Sequence, residues 1–428
     1  MAEVKVSTQQ RLKMVAGSSC ENTGPETPAG KYLRRFWQPV YHSVDLEPGR
    51  PVPLRVMGED YTLYRGEGGD VHIVEPRCPH RGTRLHTGRV EGDDLRCFYH
   101  GWKFRADGQC VEQPAEESFF AKNVCIRTWP AREYLGLVFA YFGGGTPPAL
   151  PAYPTFERFS GVVEIDSYLR ECNYFQNVEN SLDMSHVGFV HGDNRASFSG
   201  IGLGRALDAQ ESAWGVTYAF RRPDGRQRVQ QFGMPNVFYM TALPTESDAE
   251  WQESLFWCVP IDDERHMQFS LHRLPLEGEA AARFKARRAE RRSRIDLAHQ
   301  ELCAAILAGT AHLQDVDRNR VDLVRLQDDI AQVGQGIFAS QNAEKLGRAD
   351  VGVAAIRRLW RRELTAMVEG QALKEWQRPP DLVPKAWRLE EDGHAALATL
   401  DEAARAEIVD VRPFVEVSYQ LRRLHGAQ

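Results

Sequence analysis

The sequence predicts an α+β fold, in which an all-β domain precedes a larger domain made of an antiparallel sheet and flanking helices. Residues 36–145 consist of short apolar runs separated by Gly- and Asp-rich turns. A Gly- and Pro-rich stretch at 143–148 then suits an interdomain link. Longer strand-like and helical segments fill residues 146–428, whereas residues 1–35 are polar and predict a helix and a loop.

The composition of the chain limits its class. Its 428 residues are enough for two or more domains, and a formal charge of −6 gives no reason to expect binding to nucleic acid or to an anionic membrane. No apolar run approaches the ~20 residues that a membrane span needs, and the first residues lack the apolar core of a secretory signal. We therefore expect a cytoplasmic protein, whose eight cysteines form no disulfides.

Two pairs of Cys and His stand in the first domain. One residue separates Cys78 from His80, and two residues separate Cys97 from His100. A Rieske [2Fe–2S] cluster needs this split, with two thiolates on one iron and two imidazoles on the other. A structural zinc site is the alternative, but zinc fingers usually pair Cys with Cys and His with His. The order Cys, His, Cys, His therefore favours the Rieske cluster.

The second domain reads as an antiparallel sheet followed by helices. Strand-like segments occupy residues 162–169, 215–220, 229–243, 252–260 and 267–272. A helix rich in Glu, Ala and Arg is expected over 279–308, and its arginines are expected to form a solvated face. Met234, Phe238, Phe256 and Trp257 lie on strands that should face a pocket, although core packing is the better explanation for most of them.

The second informative stretch carries Asp183, His186 and His191. On a helix Asp183 and His186 share a face, and His191 lies ~140° from His186 unless the helix breaks, for which Gly188 offers a place. Two His and one carboxylate on one side of a metal is the arrangement with which mononuclear Fe(II) binds O₂ beside a substrate. An iron of this kind needs an electron supply, and the cluster is one. By position alone, Asp183 could be the carboxylate ligand.

Other polar residues of the same stretch are placed to support the metal ligands. Asn177, Glu179 and Asn180 are expected to fix ring orientations and an ordered water near the iron. For Glu179, an ordinary solvated position on a helix is an equally good explanation.

At these motifs the chain resembles a known family. Residues 78–82 (Cys-Pro-His-Arg-Gly) and 97–102 (Cys-Phe-Tyr-His-Gly-Trp) are similar to the cluster loops of the oxygenase component of Rieske non-haem iron ring-hydroxylating oxygenases. Residues 24–40 and 347–360 are most similar to the group of phthalate dioxygenase and the aromatic O-demethylases. The resemblance implies a Rieske domain followed by a helix-grip catalytic domain, in a homotrimer or a trimer-based hexamer.

The resemblance also implies roles for individual residues. His186 and His191 would bind the iron, and Asp183 would link His186 to a cluster ligand of a neighbouring subunit, His100. The third iron ligand would then come from the segment that begins at Gln327. Counting back from the glycines at 334 and 336 favours Asp328.

One alternative ligand remains in that segment. Matching the run Asp-Ile-Ala at 329–331 to the family pattern favours Asp329 over Asp328. The aspartate that does not bind the metal would then serve the helix macrodipole.

The implied function is that of a terminal oxygenase in a multicomponent system. It would use O₂ and electrons from NAD(P)H, passed on by a separate reductase with or without a ferredoxin, to hydroxylate or O-demethylate an aromatic, carboxylated substrate. No flavin or nicotinamide domain is visible in the sequence. The alternative is a ferredoxin-like Rieske electron-transfer protein with an appended binding domain, against which the Asp-His-His stretch argues. Ring dihydroxylation and O-demethylation remain open, because they differ only in the carbon placed near the iron.

Overall fold

The computed structural model describes residues 20–192, 204–221, 225, 227–242, 252–293, 299–320, 322–337, 344–379, 382 and 406–410. These residues form two compact units. The smaller comprises residues 23–26 and 30–151, and the larger comprises residues 20–22, 27–29 and those from 152 onward. The predicted α+β class is confirmed. Of the N-terminal segment predicted as a helix and a loop, residues 1–19 lie outside the described residues, and a short helix, α1, spans Pro28–Leu33.

The smaller unit is built almost entirely from short strands, as the sequence predicts. They are β1 (Trp37–His42), β2 (Val52–Val56), β3 (Glu59–Arg65), β4 (Val71–Val74), β5 (Arg89–Glu91), β6 (Asp94–Arg96), β7 (Lys103–Phe104), β8 (Cys110–Glu112), β9 (Thr128–Trp129), β10 (Ala131–Tyr134) and β11 (Leu137–Tyr141), with one helical turn, α2 (Ser118–Ala121). The strands form three antiparallel sheets in the orders β1-β11-β10, β2-β3-β4-β9 and β5-β6-β7-β8.

The core of the smaller unit encloses both cysteines of the predicted cluster motif. Cys78 and Cys97 are buried in one cluster with Leu95, Trp102 and Phe104. Side chains in such a core are closely packed and leave the backbone little room to shift. The loops that carry the cysteines are therefore anchored at their bases by the core.

The larger unit contains one eight-stranded sheet. Its strands are β12 (Val162–Arg170), β13 (Arg205–Glu211), β14 (Gly215–Arg221), β15 (Gln227–Gly233), β16 (Val237–Ala242), β17 (Gln252–Pro260), β18 (His266–Leu274) and β19 (Glu407–Asp410). The order is β13-β14-β15-β16-β17-β18-β12-β19, and neighbours are antiparallel except for the β12 and β19 pair. Strand β13 is absent from the sequence prediction.

The prediction of one strand over 229–243 is wrong. Strand β15 ends at Gly233 and β16 begins at Val237, and the two strands pair with each other through a turn at 234–236. Pro235 has no backbone N–H for a ladder, which explains why the strand stops there. The apolar residues on both sides of the turn concealed it.

Helices cover the sheet and carry two of the three residues predicted to bind the mononuclear iron, His186 and Asp328. They are α3 (Pro154–Glu157), α4 (Tyr174–Asn180), α5 (Ser185–Val190), α6 (Gly278–Ser293), α7 (His299–Leu307), α8 (Leu323–Val333) and α9 (Val351–Glu369). The helix expected over 279–308 corresponds to α6 and α7, and residues 294–298 lie outside the described residues. Helix α4 packs against α9, where Phe175 meets Trp360 edge to face at 5.7 Å.

None of the helices in the described part of the chain is both long and apolar enough to cross a membrane.

Candidate metal centres and substrate cavity

Two loops of the smaller unit have the same backbone hydrogen bonds. In the first loop, the Cys78 N–H donates to the Thr83 carbonyl and the Gly82 N–H donates to the Cys78 carbonyl, both over 2.9 Å. The second loop repeats the pattern from Cys97, over 2.8 and 3.2 Å. Gly82 and its counterpart Gly101 have φ angles of 77° and 74°, which favour glycine. The spacing of Cys and Gly in both motifs therefore encodes one loop shape.

These loops bring the four predicted cluster ligands together. The Cys78 and Cys97 thiols are hydrogen-bonded to each other, which lowers the pKa of Cys97 to about 6 and raises that of Cys78. The backbone N–H groups of His80, Tyr99 and His100 also stabilise the two thiolates. The ring centroids of His80 and His100 lie 4.4 Å apart. The sulfurs are thus on the core side, and both imidazoles lie nearer to solvent.

This arrangement fits a Rieske cluster in both donor set and polarity. Two thiolates surrounded by amide donors suit the iron whose protein ligands are negatively charged, and two imidazoles suit the iron whose protein ligands are neutral. The Trp102 ring stacks on His80 with centroids 4.6 Å apart and planes 5° apart, so this imidazole has a fixed orientation.

The second candidate centre is formed by His186, His191 and Asp328. One possible ligand atom from each lies within 4.8 Å of the other two. Asp328 Oδ1 lies 3.3 Å from His191 Nε2 and 3.7 Å from His186 Nε2. His186 lies in α5, His191 directly follows this helix, and Asp328 lies in α8. Two imidazoles and one carboxylate from distant parts of the sequence therefore meet at one point.

The predicted helix break at Gly188 is wrong. Helix α5 continues through Gly188 to Val190, and the break lies earlier, between the end of α4 and the start of α5. Asp183 lies in this break, and its Oδ1 accepts a hydrogen bond from the Ser185 N–H over 2.9 Å. An aspartate that accepts a hydrogen bond from the N–H two residues on forms an Asx turn, and α5 begins at the end of this turn.

Both imidazoles have their Nε2 atoms turned toward the centre. The Nδ1–H of His191 donates to Gln327 Oε1 over 3.0 Å, which leaves the lone pair on Nε2. His186 Nδ1 lies 3.6 Å from Asp183 Oδ2. Burial opposes protonation of His186, but Asp183 and Asp328 outweigh it and raise the pKa of the ring. Partners of this type on Nδ1 fix the tautomer of a metal-binding histidine.

The two neighbouring aspartates have different surroundings. Asp329 Oδ1 accepts a hydrogen bond from Arg170 Nε over 2.6 Å, and His299 Nε2 lies 3.3 Å from its other oxygen. Burial raises the pKa of Asp329 to about 7, whereas the pKa of Asp328 is held well below its usual range by His191 and Arg170, despite burial. Adjacent helical residues point ~100° apart, so only Asp328 faces the two histidines.

The sequence prediction missed the roles of two side chains near the candidate iron ligands, Arg170 and Gln327. Arg170 is completely buried at the end of β12, where Nη1 donates to Asn177 Oδ1 over 2.9 Å and Nη2 donates to the Tyr168 hydroxyl over 3.0 Å. Its Nη2 also lies 3.8 Å from Asp328 Oδ2. A strand that ends in one arginine gives no sign that this side chain turns inward.

The three residues expected to support the iron ligands have different positions. Asn177 contacts Arg170, as described above, and Asn180 Nδ2 donates a long hydrogen bond of 3.5 Å to Asp328 Oδ1. Both explanations offered for Glu179 are wrong. Its carboxylate is largely buried and forms an ion pair with Arg357, whose Nη2 donates over 2.8 Å.

A cavity of about 280 Å³ opens beside the three candidate iron ligands. Its apolar wall contains Met184, Val187, Phe238, Met240 and Phe256. The expectation that Phe238 and Phe256 face a pocket is therefore correct. Met234 and Trp257 are instead buried in the core and do not line this cavity.

Comparisons with known proteins agree with the motifs. The model of the Rieske [2Fe–2S] domain family matches residues 36–130. The chain is 30% identical to the oxygenase subunit of 5,5'-dehydrodivanillate O-demethylase from Sphingobium sp. strain SYK-6, over 83% of this chain and 81% of the relative. The chain belongs to the Rieske non-haem iron oxygenases. As in that family, the cofactors of this oxygenase subunit are a Rieske cluster and a mononuclear iron, used with O₂ and electrons from a reductase.

Other relatives support the same assignment. The oxygenase is 32% identical to the alpha subunit of phenoxybenzoate dioxygenase from Ectopseudomonas oleovorans, over 80% of this chain and 83% of the relative. The terminal oxygenase of carbazole 1,9a-dioxygenase from Nocardioides aromaticivorans IC177 has the same fold, with a TM-score of 0.57 and 19% identity, over 82% of this chain and all of that one. The prediction of a Rieske domain followed by a catalytic domain is confirmed in preference to an electron-transfer protein.

The different surroundings of Asp328 and Asp329 predict different losses on substitution. Asp328→Asn is expected to lose most of the mononuclear iron, about a 10- to 100-fold drop in affinity, because an amide is a weaker ligand. Asp329→Asn is its matched control and should keep this iron, because Asp329 contacts Arg170 and His299 instead. Iron and acid-labile sulfide per chain would be measured for both variants. Equal iron loss in the two variants would contradict the assignment.

Proposed function

We propose that Cys78, His80, Cys97 and His100 hold the Rieske cluster within a domain of residues 36–145. In the same proposal, His186, His191 and Asp328 hold the mononuclear iron within a catalytic domain of residues 146–428. The observation that carries this proposal is the convergence of two imidazoles and one carboxylate within 4.8 Å beside a cavity. The oxygenase then acts on a substrate held in that cavity.

The chain's own residues prepare this centre for its ligand. When bound, the iron supplies O₂ activation next to the substrate, with electrons that arrive through the cluster. Gln327 keeps the His191 lone pair on Nε2, and the charge of Asp183, 3.6 Å from His186 Nδ1, favours a proton on that nitrogen. Three protein ligands would leave positions on the metal for O₂, and the three side chains lie beside the cavity. Because Met184 and Val187 line the cavity next to the ligands, they limit the entry of water.

The substrate is an aromatic compound in this proposal. Phe238 and Phe256 line the cavity with centroids 5.8 Å apart and planes 28° apart, which forms an apolar surface for a flat ring. Two relatives are named as a dehydrodivanillate O-demethylase and a phenoxybenzoate dioxygenase. We therefore propose that the oxygenase either hydroxylates a carbon of an aromatic ring or removes the methyl group of a methoxy substituent.

The partners of the oxygenase are proposed from its relatives, which are named as subunits of larger oxygenase systems. A separate reductase, with or without a ferredoxin, would deliver electrons from NAD(P)H. We propose a homotrimer or a trimer-based hexamer, in which Asp183 links His186 to the His100 ligand of a neighbouring subunit. Sedimentation of the cluster-loaded protein measures this state, and a monomer would contradict the link.

A single turnover of the prereduced, iron-loaded protein tests the proposed reaction. The protein would be mixed with ¹⁸O-labelled O₂ and a panel of methoxyarenes and aromatic acids, and the products would be measured by mass together with formaldehyde. Formaldehyde and one new hydroxyl indicate O-demethylation, whereas a diol with two labelled oxygens indicates ring dihydroxylation. The absence of both formaldehyde and labelled ring product from every compound, with both metals present, would contradict the proposal.

Loss of either iron histidine should separate the two metal centres. His186→Ala and His191→Ala are each expected to lose the mononuclear iron and more than 90% of turnover, about the effect of removing a metal ligand. Both variants should retain the visible spectrum of the cluster, whose proposed ligands lie in another compact unit. His312→Ala, which removes an exposed histidine, is the control and should keep both metals. Full iron content in either ligand variant would contradict the assignment.

Substitution of Asp183 should affect turnover without removing metal. Asp183→Asn keeps the size of the side chain and the acceptor for the Ser185 N–H, but it removes the charge beside His186. We expect both metals to remain bound and turnover to fall by about 10- to 100-fold. Rapid-mixing kinetics of cluster oxidation would show whether the loss lies in electron transfer. An unchanged rate of cluster oxidation would rule out the proposed link.

A further inference from the structure

The sheet face that lines the cavity extends well beyond the metal end. Gln268, Ser270 and His272 alternate along β18, and all three line the cavity. Gln268 marks the metal end, because its Oε1 accepts a hydrogen bond of 2.6 Å from Asn177, which in turn contacts Arg170. Four residues along a strand span ~13 Å. His272 therefore lies at the far end of the cavity.

The middle of the cavity is apolar and aromatic. Phe256 is paired with Ser270 across the sheet, so it lies between the levels of Gln268 and His272. It stacks on Phe238 on one side and meets the His272 ring edge to face at 5.4 Å on the other. The surface available to a ligand thus runs continuously from the metal end to His272. A single ring with small substituents is shorter than this span.

At the far end, neighbouring side chains fix which nitrogen of the His272 ring carries the proton. The Gln252 amide nitrogen, which can only donate, lies 3.0 Å from His272 Nδ1, and Ser254 Oγ lies 2.8 Å from the same atom. Nδ1 is therefore an acceptor, and the ring proton is on Nε2. Burial lowers the pKa of His272 to about 4, so the ring is neutral at neutral pH.

The charged side chains away from the metal end are paired with opposite charges. With Asp183 and Asp328 assigned to the metal end, the described lining residues include three other carboxylates, Glu164, Asp166 and Asp322, and two arginines, Arg288 and Arg325. Each arginine already has a carboxylate partner. Arg288 Nη2 lies 3.0 Å from both oxygens of Glu164, and Arg325 pairs with Asp166.

The position of Arg288 also corrects an expectation from the sequence. The arginines of the helix over 279–308 were expected to form a solvated face, yet the Arg288 side chain is only 14% exposed and lines the cavity. Its Nη2 is shared between the two oxygens of Glu164, so the charge of this arginine is already balanced by a carboxylate of the chain.

We propose that the cavity takes an aromatic substrate about two rings long, whose remote end is an uncharged oxygen that accepts a hydrogen bond from His272 Nε2–H. This inference rests on the proposed function, which places the reacting end of the substrate at His186, His191 and Asp328. It replaces the expected carboxylate, at the remote end, by a hydroxyl, ether or carbonyl oxygen. Ser254 and Gln252 act as positioning residues, since they hold the His272 ring in one tautomer.

Calorimetric binding to the reduced, iron-loaded protein without O₂ tests the inference independently of turnover. Three probes would be compared: 4-(4-methoxyphenoxy)phenol, 4-(4-methoxyphenoxy)benzoic acid and 4-methoxyphenol. We expect the two-ring phenol to bind at least about tenfold more tightly than either of the others, because it alone offers both the length and the neutral acceptor. Equal or tighter binding of the acid or of the one-ring phenol would overturn the inference.

Substitution of His272 then tests the donor. His272→Ala should weaken binding of the two-ring phenol about tenfold and leave 4-methoxyphenol unchanged, and His272→Gln, which keeps a terminal N–H, should recover most of the affinity. His312→Ala is the control. Unchanged affinity in His272→Ala would overturn the role of His272. If this variant does not fold, as judged by circular dichroism and its content of mononuclear iron, the wild-type series above decides.

The two proposals fail in different ways. Oxygenation of one-ring compounds without preferential binding of the two-ring phenol would leave the proposed function standing and overturn the inference. Tight binding of the two-ring phenol, with neither formaldehyde nor labelled ring product from any compound, would contradict the proposed function and leave the shape and polarity of the cavity as inferred.

Discussion

Arg170 is a fully buried cation between two carboxylates, and the geometry of the proposed iron site depends on it. Its Nε–H donates to Asp329, its Nη2 lies 3.8 Å from Asp328 Oδ2, and Nη1 reaches Asn177. An isolated buried carboxylate is costly, and two adjacent ones would repel each other. By engaging Asp329 directly, Arg170 leaves Asp328 Oδ1 directed at the histidines. The arginine therefore determines which of two adjacent aspartates can bind a metal.

The same arginine connects the metal end to the sheet. Asn177 joins Arg170 to Gln268, and Gln268 begins the row of polar side chains that ends at His272. The strand period places alternate residues on one face, so the substrate surface and the support for the metal ligands share a rigid element. Positioning on strands rather than loops suits a reaction in which one carbon must lie near the metal.

The sequence predicted the local features and missed the distant contacts. Both cluster loops follow from Cys-to-Gly spacings that specify one turn, and His186 and His191 follow from a short motif within 173–191. Arg170 could not be foreseen, because its partners Asp328 and Asp329 lie more than 150 residues away and only the fold brings them together. The sequence misplaces the break before α5 for a related reason, since a glycine is a generic breaker, whereas the hydrogen bond from the Ser185 N–H to Asp183 depends on exact geometry.

One chain of this oxygenase carries both a Rieske cluster and a separate iron, and we propose that different residues hold the two. Mössbauer spectroscopy of protein loaded with ⁵⁷Fe, combined with a sulfide assay, measures this most directly. We expect three irons and two sulfides per chain, with one high-spin Fe(II) signal outside the cluster that disappears in Asp328→Asn. Two irons per chain in the fully loaded wild-type protein, or a third iron unaffected by that substitution, would contradict the proposed ligand set.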